Sequence, residues 1–130
     1  MLGACDLVAF VGTTDSRRAA EFYGGTLGLP LREESAYALV FDANGTTLRV
    51  AIMRELSPAP YTVLGWAVSD IVAVMTELAQ RGTHGEYFDV LEQDERAVWT
   101  TPSGDRVAWF KDPDGNLLSV TELRASRSDT

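Results

Sequence analysis

The stretch Val8-Ala-Phe-Val-Gly-Thr-Thr-Asp15 is an apolar strand pattern running into an acidic helix start, and Val63-Leu-Gly-Trp-Ala-Val-Ser-Asp70 has the same shape. Internal repetition has to be settled first, because a missed repeat misreads the whole fold. After Asp70, the residues Ile71, Val74, Met75, Leu78 and Ala79 fall at the spacing of an amphipathic helix. After Asp15, Ala19, Phe22, Tyr23 and Leu27 follow the same period less regularly. Glycines are expected to stop both helices, namely Gly24, Gly25 and Gly28 in the first and Gly82 in the second.

The far ends of the two halves match as well. Asp42-Ala-Asn-Gly45 turns the chain into a strand over 47–53, and Asp112-Pro-Asp-Gly115 turns it into another over 117–123. Two further strands are expected in each half, at about 30–34 and 37–42 and at about 84–89 and 105–111. An acidic loop at 92–95 and a short segment at 97–101 precede the Ser103-Gly104 turn. The fold class expected is α+β, built from two βαβββ modules over about 5–53 and 62–123. Residues 54–61, with Pro58 and Pro60, form the hinge, and the tail 124–130 lacks an apolar anchor and is expected to fray. Each half has too little core to stand alone, so residues 1–130 are expected to form one domain.

Composition narrows the function by exclusion. At 45% hydrophobic and 23% charged the chain is not a disordered one. No run approaches the roughly 18 apolar residues of a membrane span, and no basic region precedes an apolar core at the N-terminus, which points to the cytoplasm. A net charge of −8 argues against nucleic acid or an anionic membrane as partner. The one cysteine, Cys5, excludes an internal disulfide and a multi-cysteine zinc site, and reads as a small buried hydrophobe. The one histidine, His84, excludes any mechanism that needs two and reads as a surface residue.

Ala20-Glu-Phe-Tyr23 with Leu27-Gly-Leu29, and Lys111-Asp-Pro-Asp-Gly-Asn116 with the strand after it, resemble the vicinal oxygen chelate superfamily. That is the group of glyoxalase I, bleomycin resistance proteins and extradiol dioxygenases, and the resemblance runs from about Asp6 to Leu123. It implies paired βαβββ modules curled into a concave sheet that holds the ligand, and a homodimer. Metal-dependent members of the family carry a histidine seven residues before each helix-start aspartate, where this chain has Val8 and Val63. They carry a glutamate four residues after each turn glycine, where this chain has Arg49 and Ser119. None of the four is a usual divalent-metal ligand, and Arg49 brings a positive charge to the cation's seat. Glu122, three residues beyond Ser119, alternates to the opposite face of its strand. The implication is no metal, no other cofactor and no assigned catalytic residue. The reading is a binding protein for an aromatic or drug-like small molecule, like the family members that sequester a drug and confer antibiotic resistance. The alternative is a lyase or dioxygenase of the same fold acting on a small organic substrate.

If Val8, Arg49, Val63 and Ser119 face the cleft, strand alternation also turns Phe10, Ala51, Met53, Gly65, Leu117 and Thr121 inward. Ala9, Val11, Leu48, Val50, Leu64, Trp66, Leu118 and Val120 then face the helices as core. Phe10, Met53 and the valines would form an apolar wall, with Arg49 and Ser119 orienting the ligand. At least one of Trp99 and Trp109 is expected to join them, because indoles beside a cleft stack on planar ligands. The ligand-binding set is therefore Val8, Phe10, Arg49, Met53, Val63, Trp99, Trp109, Ser119 and Thr121. Arg49 stays charged, so it must meet either a carboxylate of the protein or an anionic or carbonyl oxygen of the ligand. Tyr37, Leu39 and Phe41 share one face, which alternation alone leaves open between core and cleft. The Asp112–Gly115 segment reads as a turn that requires no chemistry.

Overall fold

The structure of the chain, a computed structural model, describes residues 1–125. The first set of elements is β1 (Val8–Thr13), α1 (Ser16–Ala20) continuing as a π-helical turn (Glu21–Thr26), β2 (Leu31–Glu34), β3 (Ala38–Ala43) and β4 (Thr46–Ile52). The second is β5 (Leu64–Ala67), α2 (Ile71–Gln80), β6 (Trp99–Thr100), β7 (Arg106–Lys111) and β8 (Leu117–Glu122). They build two four-stranded sheets of identical topology, β1-β4-β3-β2 and β5-β8-β7-β6. In each, the first strand runs parallel to the last and the other neighbours are antiparallel. The α+β duplication of a βαβββ module is thus the observed architecture. The tail residues 126–130 lie outside the described residues.

Contacts divide the described residues into two compact units, Met1–Pro58 with Asp112–Asn116, and Ala59–Lys111 with residues 117–125. Both helices start where the aspartates place them. The Asp15 carboxylate accepts the Arg18 amide at 3.0 Å and the Asp70 carboxylate accepts the Ala73 amide at 3.1 Å. α2 ends ahead of Gly82 at φ 90°, a left-handed conformation that favours glycine. The first helix departs from expectation, running through Gly24 and Gly25 as the π-helical turn and giving way to a left-handed Gly28 at φ 77°. Burial of Phe22 and Tyr23, set edge to face at 5.1 Å, outweighs the helix penalty of the two glycines.

Alternation sorts both sheets as expected. In the first unit Val11, Leu48 and Val50 are buried with Ala19, Phe22 and Tyr23. Leu39 and Phe41 join them, while Tyr37, just ahead of β3, is exposed. In the second unit Leu118, Val120, Ala108 and Phe110 are buried with Ile71, Met75 and Leu78 from α2. Glu122 also points to this side, where its carboxylate accepts the Ile71 amide at 3.2 Å.

Two expectations fail. Residues 84–89 are not a strand; the edge partner of β7 is the two-residue β6. The segment offers β7 one backbone bond, Glu86 N to the Trp109 carbonyl at 2.8 Å. Two of its other backbone groups are claimed by a side chain, since Gln93 accepts from Phe88 N and donates to the Glu86 carbonyl, each at 2.8 Å, and it also donates to the Ala97 carbonyl at 2.8 Å. Cys5 is exposed, not buried, because the chain forms a turn from Leu2 to Cys5 and enters β1 only at Val8.

The Asp112–Asn116 turn belongs to the first unit and does more than reverse the chain. The Asp112 carboxylate, buried, receives four donors: Tyr23 Oη at 2.6 Å, Asn116 Nδ2 at 2.8 Å, Asn116 N at 2.9 Å and Asp114 N at 3.0 Å. Burial, and after it the Asp112 charge, push the Tyr23 phenol far above its ordinary value, so it remains a donor. Asn116 Nδ2 also reaches the Gly12 carbonyl at 2.8 Å. The Asp114 carboxylate accepts from Thr13 Oγ1 at 2.5 Å, Thr14 N at 3.0 Å, Thr14 Oγ1 at 2.9 Å and Arg18 Nη2 at 3.2 Å.

Burial alone would raise the Asp114 carboxyl, but the Thr13 hydroxyl, the Thr14 amide and hydroxyl and the Arg18 charge together hold it below the usual aspartate value. A folded-state value below the unfolded one stabilises the protein at neutral pH, and that contribution fades as acid protonates the carboxylate. Asp114→Asn is therefore expected to lower unfolding free energy by about 1–2 kcal/mol at neutral pH, because the bonds lost are charge-assisted. Urea titrations of both proteins should show the gap shrinking progressively below about pH 5. A gap that widens in acid would contradict the sign.

Candidate functional site

The second sheet carries the better-defined surface. Register places Gly65, Ser119 and Trp109 in one row, and Ala67, Thr121, Val107 and Trp99 in the next. All point away from α2. The Trp99 and Trp109 rings stack at 6.2 Å with 27° between planes, and Phe88 meets Trp109 edge-on at 5.3 Å. Trp109 Nε1 donates to Thr62 Oγ1 at 3.0 Å, which fixes the indole's tilt. Gly65 makes room for Ser119: a Cβ there would sit 2.8 Å from Ser119 Oγ. Ser119 is buried and Thr121 half-buried, and among the described residues neither hydroxyl makes a side-chain hydrogen bond. Val63, whose amide bonds to the Leu117 carbonyl, continues the row pattern beyond the start of β5.

The first sheet carries the other predicted residues. Phe10 and Arg49 are register partners, Val8 lies two residues before Phe10, and Met53 follows β4 on the same side, beside Gly12. Val8, Phe10 and Met53 are exposed and Arg49 is half-buried. Each sheet thus gathers its own share of the predicted set on the face away from its helix. Phe88, Thr62 and Gln93 were not anticipated. Gln93 has no sequence signal, because its role is to stand in for a backbone strand, whereas Phe88 is an aromatic that a strand reading of 84–89 misplaces.

The four positions that hold metal in the resembling family present two alkyl groups, a guanidinium and a hydroxyl. A catalytic divalent ion needs about three nitrogen, sulfur or carboxylate donors. Among the described residues no three His, Cys, Asp or Glu side chains gather into such a set. This donor chemistry does not fit a metal. A cleft of about 520 Å³ lies beside α2, lined by Met75, Ala79, His84, Tyr87 and Arg96 among others. Its side chains are largely satisfied, Tyr87 Oη by the Asp94 carbonyl and Arg96 by Thr76 and Glu95. Neither Trp99 nor Trp109 lines it. No described helix is long and apolar enough to cross a membrane.

Duplicated βαβββ topology, with an aromatic face on one sheet and a face centred on Arg49 on the other, defines the class of fold. The chain belongs to the Glyoxalase/Bleomycin resistance protein/Dioxygenase superfamily, whose family model matches residues 6–120. It is 29% identical over 126 residues to the uncharacterized protein YraH of Bacillus subtilis (strain 168), covering 84% of this chain and 91% of that one. Lactoylglutathione lyase from Agrobacterium tumefaciens has a similar structure, with a TM-score of 0.73 at 16% identity over 94% of this chain and 96% of that one. So does TnmS3, an antibiotic binding protein from Streptomyces sp. CB03234, with a TM-score of 0.70 at 23% identity over 94% and 98%. At these identities the structural likenesses speak for the fold alone.

Proposed function

We propose that the protein binds a small, at least partly aromatic organic molecule without a metal, in the manner of a sequestering protein. The observation that carries this reading is the Trp99–Trp109 stack with Phe88 at its edge, set on one sheet face beside two uncommitted hydroxyls. Aromatic side chains with a few orienting polar groups are what a planar ligand needs. The proposed contacts are Val63, Trp99, Trp109, Ser119 and Thr121 on the second sheet, and Val8, Phe10, Arg49 and Met53 on the first. The four non-ligating residues at the family's metal positions support binding over metal-assisted lyase or dioxygenase chemistry. The likeness in fold to an antibiotic binding protein supports sequestration, and with it antibiotic resistance, as the role.

A thermal-shift screen of neutral and charged aromatic compounds tests the reading. A binder present at a hundred times its Kd should stabilise the fold by about 2.7 kcal/mol. Elemental analysis of the same preparation is expected to find no stoichiometric metal. Zinc, nickel, manganese or iron that survives dialysis in equimolar amount would overturn the metal-free reading in favour of an enzyme.

A further inference from the structure

Arg49 sits in the middle of β4, paired in register with Phe10 on one side and Val40 on the other. It is half-buried, and among the described residues its guanidinium makes no hydrogen bond or ion pair. Its neighbours on that face are mostly apolar: Phe10 and Val40 across the strands, Thr47 and Ala51 along β4, and Val8 one diagonal step away. Two carboxylates share the face, and neither meets it. Asp42 lies one diagonal step away but is held by Arg32 at 3.2 Å and by the Gly45 amide at 2.7 Å. Glu33 is in register with Val40, two strands from Arg49, a separation of about 10 Å from the spacing of strands. In a chain of net charge −8 with nineteen acidic residues, this cation is left without an acid.

A guanidinium presents five donors in a planar fork and keeps its charge, so on an apolar face it calls for an acceptor from outside the fold. A carboxylate matches the fork with two parallel charge-assisted bonds, which are about twice as strong as a bond to a neutral carbonyl. Phe10, exposed and in register with Arg49, offers an aromatic ring to a flat body attached to that carboxylate, and Met53, exposed beside Gly12 further along the same face, offers a thioether beyond it. We infer that the ligand that meets the first sheet is an aryl carboxylate, its acid group held by Arg49 and its ring set against Phe10. This rests on the reading of the chain as a small-molecule-binding protein, and narrows it to one chemical class.

The test is calorimetric titration with aryl carboxylates and their own primary amides, benzoate with benzamide and naphthoate with naphthamide, on wild type, Arg49→Gln and Arg49→Lys. The acids are expected to bind wild type about tenfold or more tightly than the amides. The preference should vanish in Arg49→Gln and return in part in Arg49→Lys, which keeps the charge and loses the fork. Acids and amides that bind wild type alike, or a preference that survives Arg49→Gln, would overturn the inference and leave the binding function standing. If no acid and no amide binds while the wider aromatic screen has hits, the inference alone fails. If that screen is empty too, the binding function fails with it. Glu33→Gln should leave the melting temperature unchanged, and a loss equal to that of Arg49→Gln would reveal an Arg49–Glu33 pair and so overturn the assignment.

Discussion

Replacing Asp112 with asparagine is expected to lower the free energy of unfolding by about 3 kcal/mol or more, nearly as much as replacing it with alanine. The reason is the polarity of its partners. All four groups aimed at the carboxylate are donors: two on Oδ2 from Tyr23 and Asn116, and two on Oδ1 from backbone amides. A carboxylate accepts at both oxygens, whereas a carboxamide keeps one accepting oxygen and turns an NH2 toward two donors, of which the Tyr23 hydroxyl alone can rotate to accept, and only by giving up its own charge-assisted bond. The site is buried, so water cannot repair the mismatch cheaply, and breaking a buried charged network costs about 3–5 kcal/mol. Tyr23→Phe removes one charge-assisted bond and leaves the other three, so it should cost less, about 1.5–3 kcal/mol. Urea denaturation of the three variants ranks them. An Asp112→Asn protein as stable as wild type would show that the four-donor arrangement does not carry this weight.

That network also marks where the sequence stops being readable. Asp42 and Asp112 open turns of the same pattern, aspartate with a glycine three residues on. The Asp42 carboxylate does what a turn aspartate does locally, accepting the Gly45 amide, with Arg32 from the neighbouring strand beside it. Asp112 and Asp114 instead reach residues 89 to 101 positions earlier in the chain, and no local pattern encodes that. What depended on local chemistry was legible: aspartate caps at 15 and 70, turns at 42–45 and 112–115, and the alternation that buries Leu48 and Val50 and turns Arg49 away. What depended on distant partners was not. The 84–89 segment looks like a strand because its residues suit one, yet the Gln93 amide bonds Phe88 N and the Glu86 carbonyl, groups a neighbouring strand would have paired. Cys5 reads as core by residue type, but the turn ahead of β1 keeps it in solvent. Two of the predicted aromatic residues, Trp99 and Trp109, could be assigned a face only once β6 was in register with β7.

Trp109→Ala is expected to weaken binding of a planar aromatic ligand by about 2–4 kcal/mol, roughly thirtyfold to a thousandfold, the range of a central aromatic anchor. Trp109 is the hub of the surface, because Trp99 stacks on it, Phe88 meets its face edge-on and Thr62 fixes its nitrogen. Its removal leaves both rings without the neighbour that orients them. Trp99→Ala keeps Trp109 in place through Phe88 and Thr62, so the loss should be smaller, about 1–2 kcal/mol. Trp66 supplies the control. It lies on β5 in register with Val120, on the helix side of the same sheet, so Trp66→Phe should lower the melting temperature and leave affinity nearly unchanged. Calorimetry with the strongest aromatic hit from the screen measures all three. If Trp109→Ala binds that ligand as wild type does, the tryptophan face is packing and the ligand lies elsewhere.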